Sequence, residues 1–264
     1  MSATLADGTI LRPLVTHDDR ARAVRLQEET WGDGFSELVP AAILMIAEKI
    51  GGIAAGAFEP GGALLGFVFG LTGVKDGRIV HWSDMLAVRP EARGRHLGEA
   101  LKQYQRERCR AVGVVTMYWT YDPFVARNAH LNLNRLGATI AEFVPDMYGD
   151  TGSHVHALGT DRFVAAWPVQ SAPVPMSADP LLLAGAAIVA GDGAGDLALP
   201  AAEVVAVPVP HDLSSLVASD LPRAKRWHLS ARRAFQHYLK GGYRVSAFIP
   251  GGPGPAHYVL MRAR

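Results

Sequence analysis

The chain has 264 residues, of which 49% are hydrophobic and 19% charged, a composition that is typical of globular proteins and excludes intrinsic disorder over most of its length. Its 26 lysines and arginines nearly balance 25 aspartates and glutamates, so the net charge of +1 gives no overall field to attract nucleic acid or an anionic membrane. The single cysteine, Cys109, excludes an internal disulfide and a cysteine-rich metal site.

Neither a targeting segment nor a membrane span is expected from the sequence. Asp7 and Arg12 interrupt the start of the chain, where a signal peptide would need an unbroken apolar run. The longest apolar stretch, at 181–191, is shorter than the roughly 20 residues that cross a bilayer. We therefore expect a cytoplasmic protein that contacts no membrane.

The first two thirds of the chain alternate between strand-like and helix-like patterns. Asp18 or Asp19 can cap the first helix, which is predicted to run to about Thr30. Pro40 opens the second helix, and a glycine-containing turn precedes a third. The strands are predicted at 10–15, 53–58, 64–71, 78–88, 114–121, 139–144 and 162–167, and the later helices at 41–50, 97–111 and 126–136.

The helix predicted at 97–111 is amphipathic. Its apolar stripe comprises Leu97, Ala100, Leu101, Tyr104 and Ala111. Lys102 and Arg106 fall outside that stripe. Cys109 is expected to be a buried small side chain rather than a nucleophile.

A stretch with four prolines at 168–180 and a glycine-rich stretch at 191–196 predict a connection between two parts of the chain. The predicted division is a first domain at 1–169, a linker at 170–202 and a β-α-β-β segment at 203–264. Within the linker, residues 181–189 fit a strand or a short helix equally. The last segment is small for independent folding, so we expect it to lean on the first domain or on a partner chain.

The most informative segment is the predicted strand, turn and helix at 85–101. Arg93, Gly94, Arg95 and Gly98 lie in its turn and at the start of its helix. Consecutive backbone N–H groups there, helped by the helix dipole and the two arginines, would bind a phosphate. Glycine serves where the chain takes a positive φ or approaches a ligand closely. An ordinary turn that uses glycine for conformation alone explains the same residues.

This segment resembles the acyl-CoA-binding motif of the GNAT acyltransferase superfamily, in which Gln/Arg-x-x-Gly-x-Gly/Ala follows the fourth strand. Arg93 and Gly98 match, with Gly94 in its common place, whereas His96 stands where the superfamily prefers glycine. The resemblance implies a mixed α/β fold of the α+β type, with a splayed sheet flanked by helices over about residues 8–168. Acetyl-CoA or another acyl-CoA would be the co-substrate, and no metal is implied.

The resemblance also implies where the coenzyme lies. Its pantetheine arm would enter a split between the strands at 78–88 and 115–121. On the first of these strands the coenzyme would contact Leu86, Ala87 and Val88, with backbone N–H groups near the first two polarising the thioester carbonyl. Its pyrophosphate would contact the backbone of Arg93, Gly94, Arg95, His96, Leu97, Gly98 and Glu99.

More narrowly, the segments at 118–123, 127–138, 148–149 and 160–162 resemble a bacterial GNAT-like group with a C-terminal extension, whose substrate is not established. That resemblance extends over the whole chain. Two positions depart from the superfamily pattern. The tyrosine that serves as general acid, four residues before Gly137, is replaced by Leu133, and the early asparagine of the same helix falls near Ala126.

Acyl transfer from a thioester needs a base for the attacking amine, a donor for the carbonyl and stabilisation of the leaving thiolate. The candidate catalytic residues are Asp84, Tyr121 and Tyr148, with His81 and Asp122 as further proton-transfer groups. Structural explanations stay open for several of them: a turn at Asp122-Pro123, an ion pair of Asp84 with Arg127, and an aromatic lid that contains Tyr148.

Two other signals favour structural interpretations. His154 and His156 would face one side of a strand, but a solvated loop is favoured over a metal pair because no third ligand is in view. The basic residues of the predicted helix at 220–240 are interpreted as a solvated face rather than a nucleic-acid surface. Their helix would pack through the stripe Trp227, Ala231, Ala234 and Tyr238.

The sequence thus favours an acyl-CoA-dependent N-acyltransferase, with acetyl as the expected acyl group and a small-molecule amine as acceptor. The alternative is a noncatalytic GNAT-like module that binds CoA or another phosphorylated ligand as a sensor or scaffold. A third hypothesis is an interaction protein whose C-terminal part completes a homodimer.

Overall fold

The computed structural model describes residues 2–32, 35–149, 158–189, 191 and 199–263. The chain forms two compact units, one made of Met1–Trp119 and Trp167–Ala172, the other of Thr120–Ala166 and Pro173–Arg264. These units divide the chain at other positions than the predicted domains do. The predicted domains stay a hypothesis about which parts fold separately.

The first unit contains a mixed sheet with helices on both faces. Its elements are β1 (Ala3–Thr4), β2 (Ile10–Pro13), α1 (His17–Trp31), α2 (Ala41–Lys49), β3 (Ile53–Phe58), β4 (Leu64–Lys75), β5 (Arg78–Val88), α3 (Leu97–Ala111) and β6 (Thr116–Tyr121), whose last two residues belong to the second unit. The strands follow the order β1-β2-β3-β4-β5-β6, and the pairs are antiparallel except for the parallel pair of β5 with β6. The predicted mixed sheet flanked by helices is confirmed.

Alternation along β4 separates the two faces of this sheet. Phe67 and Phe69 lie in the core that α1 and α2 cover, together with Leu26, Leu44 and Met85. Gly66 faces the other way, since a Cβ at this position would lie 3.3 Å from a methyl carbon of Leu101 on α3. The helix that carries the motif therefore packs on the face opposite to α1 and α2.

The start of α1 differs from the prediction. Thr16, rather than Asp18 or Asp19, is the N-cap: its hydroxyl accepts from the Asp19 N–H at 3.0 Å. Asp19 completes a capping box by accepting from the Thr16 N–H at 3.0 Å, and its carboxylate also pairs with Arg12 at 2.8 Å. The prediction was wrong because aspartate and threonine are both good N-caps, so the local sequence does not choose between them. The choice depends on Arg12, which lies outside the helix and pairs with Asp19.

The second unit contains a strand pair, a four-stranded sheet and a long helix. Its elements are α4 (Ala126–Ala129), β7 (Thr139–Val144), β8 (Arg162–Pro168, which runs on into the first unit), β9 (Ala187–Ile188), β10 (Val204–Val209), α5 (Leu213–Ser219), α6 (Leu221–Lys240), β11 (Tyr243–Ile249) and β12 (Ala256–Arg262). β7 pairs with β8, and the other sheet has the order β11-β12-β10-β9. Both interpretations of 181–189 hold in part, because a 3₁₀ turn at Pro180–Leu183 precedes β9.

The helix predicted at 126–136 is helical but not uniform. After the single turn of α4, residues His130–Arg135 form a π-helix, in which the Leu136 N–H donates to the Leu131 carbonyl at 2.9 Å. Asn134 anchors this segment by donating to the carbonyls of Met176 and Phe248, each at 3.0 Å. Hydrophobic spacing does not distinguish π from α bonding, so the sequence predicted the helix but not its widening.

The helix α6 packs as predicted through Trp227, Ala231, Ala234 and Tyr238, all of which are buried. Its basic side chains are not all solvated, however. Arg232 donates to Asp146 at 2.7 Å and to the buried carboxylate of Asp161 through Nε, also at 2.7 Å. The prediction of a fully solvated basic face is therefore corrected at this position, because the partner carboxylates come from distant parts of the chain.

Replacing Thr16 tests the capping box. We expect Thr16→Ala to lower the free energy of unfolding by about 1 kcal/mol, because the Asp19 N–H loses its acceptor. Urea denaturation followed by circular dichroism measures the change. Thr16→Ser keeps the hydroxyl and is the matched control, so equal destabilisation by both substitutions would contradict the cap.

Candidate active site

The strand β5 changes its pairing at Asp84. Phe69 of β4 pairs with Met85 and Gly70 with Ser83, so Asp84 is an extra residue and forms a β-bulge. On its other side β5 pairs with β6 from Val80↔Thr116 to Trp82↔Tyr118, and no further pair with β6 is present among the described residues. We call the β6-facing side of residues 83–88 the free edge of β5. A bulge re-aims side chains, and an unpaired edge leaves backbone groups available to a ligand.

The side chains that follow the bulge alternate between the two faces of the sheet. Met85 and Ala87 join the core under α1 and α2. Leu86 and Val88 face α3, since a Cβ on Gly98 would lie 3.8 Å from Leu86 and 4.0 Å from Val88. The free edge of β5 and the first turn of α3 are thus direct neighbours within the first unit.

The turn before α3 presents its backbone amides. Gly94 has φ +83° and His96, the residue before the helix, has φ +56°, so both adopt left-handed backbone conformations. None of the N–H groups of residues 94–98 donates a hydrogen bond to the described part of the protein. These groups, which we call the amide cradle, lie at the positive end of the α3 dipole, an arrangement that can bind an anion. The left-handed φ at His96 gives a physical reason for the superfamily's preference for glycine there.

Of the two arginines beside the cradle, one is held in an ion pair and the other is not. Arg95 donates to Asp7 at 2.7 Å and to the Thr9 hydroxyl at 2.8 Å, and the Arg95 hydrogen bond lowers the pKa of Asp7 to about 2. Arg93 is exposed and forms no ion pair within the described residues. The carboxylate of Glu99, in the first turn of α3, lies 3.9 Å from the His96 ring. Arg93 is therefore the cradle's available cation.

Asp84 is exposed at the bulge. Partial desolvation raises the pKa of its carboxyl, against a smaller lowering by the Trp82 side chain. A carboxylate with a raised pKa that solvent can still reach suits the role of a general base. This residue lies on the same strand as Leu86, Ala87 and Val88, and all four belong to the first unit, as the cradle does.

The two tyrosine candidates belong to the second unit. The Tyr121 hydroxyl is buried and forms no hydrogen bond with the described residues. Burial raises its pKa strongly, against a smaller lowering by the nearby Tyr258 hydroxyl. Tyr148 is 36% exposed and its hydroxyl lies 2.9 Å from the Thr120 hydroxyl. The Asp122 carboxyl, whose pKa is raised by burial, accepts from the Phe124 N–H at 2.8 Å, which agrees with the turn interpretation.

A buried polar cluster lies between β5 and α3 and was not predicted from the sequence. Lys102 of α3, expected only to lie off the apolar stripe, is 3% exposed and donates to Ser83 at 2.7 Å. Gln105 contacts both Ser83, at 2.7 Å, and His81, at 3.0 Å. Burial lowers the pKa of His81 to about 4, so this candidate is neutral near pH 7 and enclosed. The signal that could have found the cluster is the polar set Lys102, Gln105 and Cys109 at helical spacing beside the stripe.

Other expectations concern metals, membranes and the cysteine. The prediction for Cys109 is confirmed: it is buried, and burial raises the pKa of its thiol to about 12. His154 and His156 lie outside the described residues. Within the described ranges, no group of three or more potential metal ligands occurs, and no helix has the length and apolarity needed to cross a membrane.

No family model matches the chain, and no curated protein matches it. Among solved structures it is similar to the ribosomal-protein-S18-alanine N-acetyltransferase from Escherichia coli, with 18% identity, coverage of 64% of this chain and 99% of that one, and a TM-score of 0.48. A GNAT-family protein from Desulfovibrio desulfuricans has 17% identity over 61% and 99% of the two chains, with a TM-score of 0.47. An aminoglycoside 6'-N-acetyltransferase solved with coenzyme A has 14% identity over 62% and 99%, with a TM-score of 0.46.

The backbone at position 96 is testable through stability. We expect His96→Gly to be more stable than His96→Ala by about 1 kcal/mol, because only alanine keeps a Cβ in the left-handed conformation. Thermal and urea unfolding of the two variants measure the difference. Equal stabilities would contradict the left-handed turn that orients the amide cradle.

Proposed function

We propose that the chain is an acyl-CoA-dependent N-acyltransferase, with acetyl-CoA as donor and a small-molecule amine as acceptor. One observation carries the proposal: the unbonded amides of residues 94–98 lie beside the free edge of β5, which bears a bulged carboxylate. An anion site and a base on one strand-turn-helix suit a ligand that has a diphosphate at one end and a reactive carbonyl at the other. The motif at Arg93 and Gly98 supports the same interpretation.

The cradle would bind the coenzyme through its diphosphate. Amide N–H groups and the α3 dipole favour negative charge there, and Arg93 adds a mobile cation. The pantetheine arm would then lie along the free edge of β5, next to Leu86 and Val88. Backbone N–H groups on that edge alternate with carbonyls, as in any strand that lacks one partner, and can bind the arm's amides.

The chemistry needs no covalent intermediate on the protein. The acceptor amine attacks the thioester carbon, the backbone N–H of Leu86 on the free edge polarises the carbonyl oxygen, and Asp84 accepts the amine's proton. The thiolate of CoA leaves. The Ala87 N–H points to the other side, towards β4, as does that of Arg89, which donates to the Leu65 carbonyl. Asp84 suits its role because desolvation raises the pKa of its carboxyl towards that of an effective base. Tyr121 and Tyr148 stay predictions of the sequence for further proton transfer.

A second candidate function is a noncatalytic module that senses or holds CoA or another phosphorylated ligand. Leu133 favours it, because this fully buried residue occupies the place of the superfamily's tyrosine acid. Binding without turnover across a broad panel of amines would support the module and contradict the enzyme. We also propose a homodimer and a cytoplasmic location. Size measurement of the purified protein tests the first, and fractionation of cells that produce it tests the second.

The enzyme is tested with acetyl-CoA and a panel of amines, with release of free thiol as the readout. We expect Asp84→Asn to lower kcat by about 100-fold or more while the Kd for CoA is unchanged, because the base is lost and the cradle is not. Tyr148→Phe tests the second candidate residue in the same assay. Asp76→Asn, in the exposed β4–β5 turn, is the matched control.

Turnover should also depend on pH with a defined sign. Asp84 acts as a base when ionised, so kcat is expected to rise as pH increases through its raised pKa and to fall below it. The rising limb should disappear in Asp84→Asn. Equal turnover and equal pH profiles in both proteins would remove Asp84 from the mechanism.

A further inference from the structure

A single buried amine lies at the point where β5 and β6 stop pairing. Lys102 donates from Nζ to the Ser83 hydroxyl at 2.7 Å, and the same nitrogen is 4.1 Å from the centre of the Trp119 ring. Ser83 and Trp119 each follow the last β5–β6 pair, Trp82↔Tyr118, by one residue on their own strands. The Lys102 ammonium therefore lies beside the closed end of the free edge of β5, on the α3 face of the sheet.

The hydrogen bonds around this amine have one consistent direction. Ser83 donates to the Gln105 carbonyl oxygen at 2.7 Å, so its oxygen is left to accept from Lys102. Gln105 donates its amide to Nε2 of His81 at 3.0 Å, which makes His81 neutral with its proton on Nδ1. His81 Nδ1 then donates a hydrogen bond to the Thr72 hydroxyl oxygen at 3.0 Å, and the Thr72 hydroxyl donates to the Gly51 carbonyl at 2.6 Å.

Gly70 of β4 leaves room for this chain of hydrogen bonds. A Cβ at Gly70 would lie 2.3 Å from His81 Nε2, 2.5 Å from the Trp82 carbonyl oxygen and 3.0 Å from the Gln105 amide nitrogen. A larger residue there would disturb both the cluster and the backbone of β5.

Among the residues that the structure describes, no carboxylate pairs with Lys102. Within the described residues it forms no salt bridge, and the titratable groups that face it are His81 on β5 and Cys109 on α3. Neither is an anion near neutral pH, because burial lowers the pKa of His81 to about 4 and raises that of Cys109 to about 12. Burial lowers the pKa of Lys102 itself to about 7, which leaves a proton ready for transfer.

The distance along the strand suits a bound pantetheine arm. Val88 lies near the start of α3, and Ser83 lies five residues back, about 16 Å at the usual rise of a strand. An extended pantetheine arm can span such a distance. With its diphosphate on the amide cradle, the coenzyme would bring its sulfur towards Ser83 and Lys102.

We propose that the ammonium group of Lys102 is the catalytic acid of the reaction, in place of the tyrosine that the chain lacks; this inference rests on the proposed acyltransferase function. As the acceptor nitrogen bonds to the acyl carbon, the carbon–sulfur bond breaks and its electron pair goes to sulfur. The proton on Lys102 Nζ passes to that sulfur, which gives CoA thiol and a neutral lysine. The proton of the acceptor amine passes to Asp84, and solvent restores both groups.

The test compares Lys102→Met and Lys102→Gln with wild type and with Lys75→Met, a surface lysine in the same unit. Glutamine keeps a donor for Ser83 but has no proton to transfer. We expect both Lys102 variants to bind CoA with unchanged Kd and to lose about 100-fold in kcat. In wild type kcat should fall as pH rises through about 7, and this limb should vanish in both variants.

Two readouts separate this role from a structural one. The Lys102→Met variant should melt at the same temperature as wild type or higher, because it removes a buried charge that has no counter-ion. Loss of the pH limb in that variant, at an unchanged melting temperature, is a result that a merely structural role would not give. A lower melting temperature with wild-type kcat and pH limb would overturn the assignment and leave the proposed function in place. Wild type that fails to bind CoA, or binds it without releasing thiol, would overturn both.

Discussion

The backbone hydrogen bonding of the first unit is incomplete in two neighbouring places, and the proposed chemistry depends on this. β5 runs on after its last pair with β6, and the amides of residues 94–98 donate to nothing in the described protein. Exposed backbone groups must be satisfied by water or by a ligand. A ligand with amides along its length and phosphates at one end would satisfy both places at once. The anion site, the free edge and the bulge at Asp84 then act as parts of one binding surface.

The interface between β5 and α3 behind that surface contains several buried polar side chains. A chain of hydrogen bonds runs from Lys102 through Ser83, Gln105 and His81 to Thr72, and it fills space that Gly70 leaves open. Such networks give less stability than apolar packing would, since each member has been removed from water. A catalytic role for one member of the network would account for this cost, since functional sites commonly have lower stability.

Much of the first unit could be predicted from local pattern. The helix predicted at 97–111 is α3 at Leu97–Ala111, and the glycines and arginines before it marked the turn that presents its amides. What the sequence could not give depends on distant partners. The bulge at Asp84 exists because of the register of β4, and the cap of α1 was decided by Arg12. Lys102 was missed because a lysine is normally solvated, and only the strands placed over it make it buried.

The ion pairs of Asp161 bear on how this chain can be divided experimentally. Although burial alone would raise its pKa, hydrogen bonds from His228 and Arg232 keep the Asp161 carboxyl ionised, and it is 1% exposed. Both partners lie on α6. A truncation before that helix would remove both groups that donate to this carboxylate. Shortened versions ending near residue 170 would therefore be poor reporters of what the intact polypeptide does.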